Sequence, residues 1–308
     1  MTYNKNFRVY IDAEAGTTSM KTSSGKVLVT GVTGNVGMYV AKHLIRHGIA
    51  VNGATSRPEA ARSIVDEVVE LVRFDFEDSM TFDAALDGVD KVFLIRPPAM
   101  SDPNAMNPFL SRCVDKCISH IVFLSLLGIE RNPFPPHYKI EKMIKASGIP
   151  YTFMRPSFFM QNLSSTHQTD IREHDDLFIP AGKAKVSFID TRDIGEASAL
   201  VLMDSENHQN RGYTLTGSEA ITYQQAADIL SDVLDRRITY SNPSSGNFKN
   251  TIIARGIPKE FATVMTVLYL TTKLGMANKV TSDLERLLGR KPRTFRQFAQ
   301  DHVSCWQR

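Results

Sequence analysis

From residue 26 onward the chain switches repeatedly between two hydrophobic periods. Short, β-branched apolar runs at residues 27–30, 50–55, 68–74, 92–95, 121–125 and 151–154 predict buried strands. Between them, apolar residues recur at helical spacing. In residues 36–47, Val36, Val40, Leu44 and Ile45 fall on one side, and Gly48 stops the turn. Residues 58–66, 107–119 and 139–147 predict further helices, and a short one capped by Ser79 or Thr81 runs to Leu86. Pro97-Pro98 ends the fourth strand. Strands alternating with helices at this pace lie parallel, with helices on both faces: a doubly wound α/β sheet. After Pro156 the rhythm loosens. Strands are predicted at 186–189 and 213–215, and helices at 193–203, 222–234, 259–274 and 294–303.

Composition narrows the class. With 308 residues, 42% of them hydrophobic and 22% charged, the chain can bury a sizeable core without disulfide or metal staples. Lys and Arg number 36 against 33 Asp and Glu, a balance too near neutral for a nucleic-acid partner. The longest apolar runs, such as residues 264–270, fall well short of the ~20 residues that span a bilayer, so no membrane partner is expected. Cys113, Cys117 and Cys305 are too few and too uneven for a disulfide framework. Cys113 and Cys117 sit four apart on one helix, but no Cys or His partners lie near, so both read as buried small apolar residues and no metal is expected. Residues 1–24 are polar and lack the apolar core of a secretory signal, which leaves a cytoplasmic location as the expectation. Met20, just ahead of the first strand, makes the first nineteen residues read as an upstream arm.

Candidate chemistry begins between the first strand and the first helix. Residues 30–37 read Thr-Gly-Val-Thr-Gly-Asn-Val-Gly. Glycine is needed where φ is positive or where an anion must approach the backbone closely. Peptide N–H groups and the helix N-terminus then turn positive potential towards a diphosphate. In this strand–loop–helix setting the glycines predict a dinucleotide site, a plain tight turn being the alternative. The second strand ends Ala54-Thr55-Ser56-Arg57, with Arg57 twenty residues past Gly37. A site for NAD places a carboxylate there, on the ribose 2′-hydroxyl. The Ser56 hydroxyl and Arg57 guanidinium suit a 2′-phosphate instead, so NADPH is expected over NADH. After the third strand, Asp75 can meet the adenine amine with Phe76 beside it; the alternative for Asp75 is a turn cap.

Together these segments resemble the NmrA-like branch of the atypical short-chain dehydrogenase/reductases. The resemblance is carried by residues 30–37, 54–58, 74–78, 137–162, 188–197 and 213–222, and runs from Lys26 to about Pro292. Residues 1–25 are expected as a flexible N-terminal extension, and the resemblance implies a Rossmann-type NAD(P)-binding domain at 26–158. A smaller C-terminal α/β substrate lobe at 159–308 would interleave with late sheet strands. Carried over, Gly31, Thr33, Gly34, Asn35 and Val36 would hold the diphosphate, Ser56 and Arg57 the 2′-phosphate, and Asp75 and Phe76 the adenine. Ile95 and Arg96 would line the ribose. Ser125 and the turn of Pro156, Ser157 and Phe158 would flank the nicotinamide. Relatives place small residues after the fourth strand; Arg96-Pro97-Pro98 departs from that pattern.

Tyr138 and Lys142 have the Tyr-x-x-x-Lys spacing of a proton-donating set, with Ser125 upstream to orient a carbonyl. The register implied by the resemblance argues otherwise. The family's helix glutamate matches Glu141, seven before Gly148, so the catalytic lysine position falls on His137 and the tyrosine position on Pro133. Tyr138 and Lys142 are then displaced by five residues, about 140° round a helix. In this register His137 faces the nicotinamide ribose as a hydrogen-bond or proton donor with an ordinary pKa of about 6.5. Ser125 and Tyr138 stand beside it as catalytic candidates.

A quinone or azo bond accepts hydride with protons from water or a histidine, so a site without the tyrosine suits it better than alcohol dehydrogenation or sugar epimerisation. Phe158 and Phe159 offer flat faces for a planar or aromatic substrate. Asp190, Arg192 and Asp193 read as anchors of the lobe and caps of the following helix. Residues 261–274 read either as a lid or as the contact surface of a homodimer. The expectation is therefore an NADPH-dependent oxidoreductase acting on a quinone-like or other conjugated acceptor. Its rival is a non-catalytic NADP(H)-sensing regulator that binds a protein partner.

Overall fold

The computed structural model describes residues 25–98, 100 and 102–308; the extension anticipated at 1–25 lies, apart from Gly25, outside them. The predicted strands form as β1 (Lys26–Thr30), β2 (Val51–Thr55), β3 (Glu70–Arg73), β4 (Val89–Ile95), β5 (His120–Leu124) and β6 (Tyr151–Pro156). They pair in parallel in the order β3-β2-β1-β4-β5-β6. Both faces are buried, which is why the strands read as continuous apolar runs rather than as alternations. Val27, Val29, Phe93, Val122 and Leu124 point to one side, where α1 (Gly37–Arg46) packs through Val40 and Leu44. Leu28, Val92, Leu94, Ile121 and Phe123 point to the other, beneath α3 (Phe82–Ala85), α4 (Asn107–Asp115) and α5 (Pro136–Ala146). A four-residue α2 (Pro58–Ala61) follows β2.

The chain beyond residue 158 returns to this sheet. After α6 (Gln168–His174), β7 (Lys185–Val186), α7 (Thr191–Met203) and α8 (Ser205–His208), β8 (Arg211–Leu215) adds a seventh parallel strand beside β6. Helix α7 lies on α1, and the two backbones approach so closely that a Cβ on Gly195 would sit 2.4 Å from the Tyr39 Cβ. The remaining elements form the lobe: β9 (Ile221–Thr222), paired antiparallel with β7, α9 (Tyr223–Leu234), α10 (Ser245–Ala254), α11 (Lys259–Lys273), α12 (Asp283–Leu288) and α13 (Phe295–Asp301). Capping boxes start α9 (Thr222 with Gln225) and α13 (Thr294 with Gln297). The lobe core gathers Leu177, Tyr223, Phe248, Tyr269, Phe295 and Trp306.

Several sequence expectations shift here. Helix α2 ends at Ala61, and Asp66, which accepts from the Val68 N–H (3.1 Å), caps the later turn into β3. The short segment before α3 is capped by Asp78, which accepts from the Met80 N–H, rather than by Ser79 or Thr81. Cys113 is buried, its thiol pushed up to about 12 by burial. Cys117 is not: α4 stops two residues earlier, and Cys117 is exposed with φ of 55°. Of the predicted strand at 186–189 only Val186 lies within β7, while Ile189 bridges Phe159.

Among the described residues no group of three or more His, Cys, Asp or Glu is placed to hold a metal ion, and no helix is long and apolar enough to cross a membrane. Helix α11 buries Ala262, Met265, Tyr269 and Thr272 while Val264, Val267, Leu270 and Leu274 stay exposed. Two buried carboxylates tie the lobe to the sheet. Asp190 caps α7, pairs with Arg192 and accepts from Gln161 (2.8 Å). Asp193 pairs with Arg290 (2.8 Å) and Arg293. These are the anchoring and capping roles anticipated for them.

The α1–α7 contact aims the N-terminus of α1. Gly195→Ala is expected to destabilise the protein by about 2–3 kcal/mol through overpacking against Tyr39, read as a lower urea midpoint at unchanged slope.

Candidate functional site

The direction of strand addition reverses between β1 and β4, and ligands of open parallel sheets bind outside the strand ends at such a point. The loop that leaves β1 there is built by steric exclusion. Gly31 has φ of 62°, and the Gly34 N–H donates to its carbonyl at 2.9 Å. A Cβ on Gly37 would lie 2.3 Å from that same oxygen, so only glycine lets α1 start this close to β1. Val32 and Val36 point inward and pin the loop to the core, while Gly31, Thr33, Gly34 and Asn35 face outward. The Val36 side chain is thus core, and what it presents outward is backbone. Thr30 holds β1 to β4: its hydroxyl donates to the Phe93 carbonyl (3.1 Å) and accepts from the Ile95 N–H (2.8 Å).

The other candidates sit at successive strand ends along the same edge. Ser56 and Arg57 follow β2 and are exposed; Arg57 has no carboxylate partner among the described residues. Asp75 follows β3, but its carboxylate accepts from the Glu77 N–H (3.0 Å), the turn-capping role. Phe76 is buried in an aromatic cluster with Phe74 and Phe109, 4.7 and 5.5 Å between ring centroids. Its expected place beside an adenine therefore needs correction: the ring is part of the core. Ile95 ends β4 and lies against Gly31.

On the α5 side of the sheet, Ser125 departs from the role expected of it. Its hydroxyl donates to Glu141 (2.6 Å), which also accepts two hydrogen bonds from Arg155 (2.9 and 2.7 Å). This locks α5 to the ends of β5 and β6 and leaves Ser125 no proton with which to orient a carbonyl. The Lys142 ammonium sits 4.6 Å above the Tyr138 ring rather than at its hydroxyl. Tyr138 therefore does not form the lysine-activated acid that its spacing offers.

His137 opens α5, its ring 5.9 Å from that of Phe123. Burial, reinforced by the Arg96 guanidinium, pushes its pKa down to about 4. At pH 7 roughly one molecule in a thousand carries the imidazolium. The ring can donate a hydrogen bond there, but the proton donor expected from an ordinary histidine is lost. Arg96 continues the alternation of Val92 and Leu94 towards α5 and gives one hydrogen bond, to the Met100 carbonyl. Five buried side-chain polar atoms lack a partner among the described residues, and two of them are Arg96 Nε and His137 Nδ1.

On the far flank, Pro156 and Ser157 are buried, and the Ser157 hydroxyl accepts from Ser187 (3.0 Å). Phe158 is half-buried against Tyr269, with ring centroids 6.4 Å apart. Sequence reading missed Thr30 and Arg155, which hold the strand ends in place. The signal for Arg155 was a guanidinium inside an otherwise apolar strand.

Outward-facing peptide groups, a cradle that a Cβ would fill, an unpaired Arg57 and two unmet polar atoms at the strand ends fit an elongated phosphate-bearing ligand laid along this edge. The NmrA-like family model matches residues 23–299. The chain is 31% identical to the Prestalk A differentiation protein A of Dictyostelium discoideum, covering 93% of this chain and 95% of that protein. It is 29% identical to the NAD(P)H azoreductase of Xenophilus azovorans, covering 91% and 99%. The crystal structure of a new type of NADPH-dependent quinone oxidoreductase from Escherichia coli superposes with a TM-score of 0.79 at 25% identity, covering 90% and 99%.

His120, His137 and His167 are all pushed down to about 4, in each case chiefly by burial. Between pH 6.5 and 4 the unfolded chain binds these protons and the native chain does not. Stability is therefore full above 6.5 and falls as the pH is lowered through that window, by up to about 1.4 kcal/mol per pH unit for each histidine. Urea titrations across the window check this; a flat profile contradicts it.

Proposed function

The chain belongs to the NmrA-like family, and from that membership we propose that it is an NADPH-dependent reductase of quinone-like or other conjugated small molecules. The observation that carries this reading is the combination of the glycine cradle at the switch point with an unpaired Arg57 one strand away. In this reading the N–H groups of residues 31–36 and the N-terminus of α1 hold the diphosphate. Ser56 and Arg57 take the 2′-phosphate, where a bidentate guanidinium discriminates against the plain hydroxyl of NADH. Ile95 borders the ribose, and Pro156 to Phe158 wall the nicotinamide end. When bound, the dinucleotide supplies the hydride. The relatives named for azo and quinone reduction support an acceptor of this kind.

The proton inventory favours the same acceptors. Tyr138 carries its lysine on the ring face, His137 is neutral and the Ser125 proton is committed to Glu141. A simple ketone needs a proton delivered as hydride arrives. A quinone does not, because conjugation holds the charge until water protonates it. The shortage of proton donors also favours a second reading, a dinucleotide-binding regulator with no turnover. The two separate on one assay: NADPH oxidation by the purified protein with menadione and an azo dye.

Turnover with menadione is expected, and its absence alongside retained NADPH binding favours the regulator. Arg57→Ala is expected to weaken NADPH binding by about tenfold or more while leaving NADH within about twofold, measured by quenching of nicotinamide fluorescence. Tyr138→Phe is expected to leave turnover within about twofold; its loss would restore the tyrosine as the acid.

A further inference from the structure

Arg96 follows β4, and the fold gives its guanidinium no counter-charge among the described residues. Its guanidinium is partly buried at the end of β4, it has no carboxylate partner among the described residues, and its single hydrogen bond goes to the Met100 carbonyl. Nε is enclosed and unmet. A cation held out of water without a counter-charge is costly, and structural arginines of this protein avoid that: Arg155, Arg192 and Arg293 all grip carboxylates. Beside Arg96, on the same side of the sheet, His137 Nδ1 is likewise enclosed and unmet at the first turn of α5. Positive potential from the helix N-terminus adds to that of the guanidinium. A guanidinium without a counter-charge beside an imidazole, between the end of β4 and the start of α5, points to an electron-rich atom supplied from outside.

We propose that Arg96 and His137 form an oxyanion site for the acceptor, receiving the oxygen on which negative charge appears during reduction, and so select acceptors that become phenolates. The proposal rests on the reductase reading. In it the hydride bonds to one carbonyl oxygen of the quinone, the electrons shift through the conjugated ring, the opposite carbonyl π bond breaks, and its electron pair ends on the second oxygen as a hydroquinone monoanion; the dinucleotide leaves oxidised. Water then delivers the one proton required, so that quinone, NADPH and one proton give hydroquinone and NADP+. The guanidinium stabilises the monoanion as it forms. A lone pair on His137 Nδ1 is the form that a nearby cation favours, and it leaves the proton on Nε2 to donate to the same oxygen. Neutrality of the imidazole, which removes it as an acid, suits it to this second task.

The test uses 4-nitrophenolate as the anion, with nitrobenzene as its neutral counterpart, in equilibrium dialysis at pH 8 against the full chain saturated with NADP+. The expected result is one saturable phenolate site per chain, with nitrobenzene bound at least about tenfold more weakly. Arg96→Met is expected to weaken phenolate binding by about 30-fold and to leave NADP+ affinity within about threefold. Arg96→Lys keeps the charge without the planar fork and is expected to lose about fivefold, which serves if the Met variant does not fold. The proposal is overturned if Arg96→Met, or Arg96→Lys in its place, weakens NADP+ about tenfold while phenolate binding persists, for then the guanidinium serves the dinucleotide. It is also overturned if the wild-type complex takes up no phenolate while still reducing menadione. Phenolate bound by a complex that reduces no quinone supports the anion site and removes the reductase reading instead.

Discussion

A contact of atomic tightness governs the rest of the molecule: the start of α1 against the end of β1. No side chain fits between Gly37 and the Gly31 carbonyl, and Gly31 itself needs a positive φ. That closeness brings the N–H groups of the first helical turn to the sheet edge, facing outward, where Val32 and Val36 anchor them from beneath. Everything said about ligand, charge and acceptor follows from where that turn points. Thr30 fixes β1 to β4, and Gly195 lets α7 press on α1 from behind.

The same edge shows how charge is apportioned. Buried carboxylates and guanidiniums that hold the fold are paired with one another, as in Glu141 with Arg155 and Asp193 with Arg290 and Arg293. Arg57 and Arg96, at the ends of β2 and β4, have no carboxylate partner among the described residues. Desolvation makes an unpaired cation expensive in proportion to its burial. Arg57 is exposed and tolerates the lack in water, whereas Arg96 is partly enclosed and does not. That contrast ranks Arg96 above Arg57 as evidence that a partner from outside is part of the design.

Much of the sheet was legible because its strands are buried on both faces and carry an uninterrupted apolar signature. The glycine loop was legible because its spacing is a steric requirement. What escaped had no local signature. A strand at 213–215 and a lobe interleaved with late sheet strands were expected, but that β8 pairs with β6, some sixty residues earlier, periodicity cannot reveal. Helices α6 and α10 owe their form to the lobe core and to ion pairs such as Asp170 with Arg255, and α12 packs through Leu284 into the core shared with α1 and α7. Phe76 was placed beside the adenine from a motif, yet its ring packs against Phe74 and against Phe109 of α4. Ser125 was read from its spacing to Tyr138, but its partner is decided by Glu141, which Arg155 holds in place. His137 was placed in the right neighbourhood with the wrong protonation, since burial and the Arg96 charge are properties of the fold.

The central claim is that the β1–α1 turn binds a phosphorylated nicotinamide dinucleotide through its peptide groups. Isothermal titration calorimetry of the intact, folded chain with NADPH and then NADH tests it most directly. The account predicts saturable heat at one site per chain, with NADPH the tighter ligand. Absence of heat with either dinucleotide would contradict it.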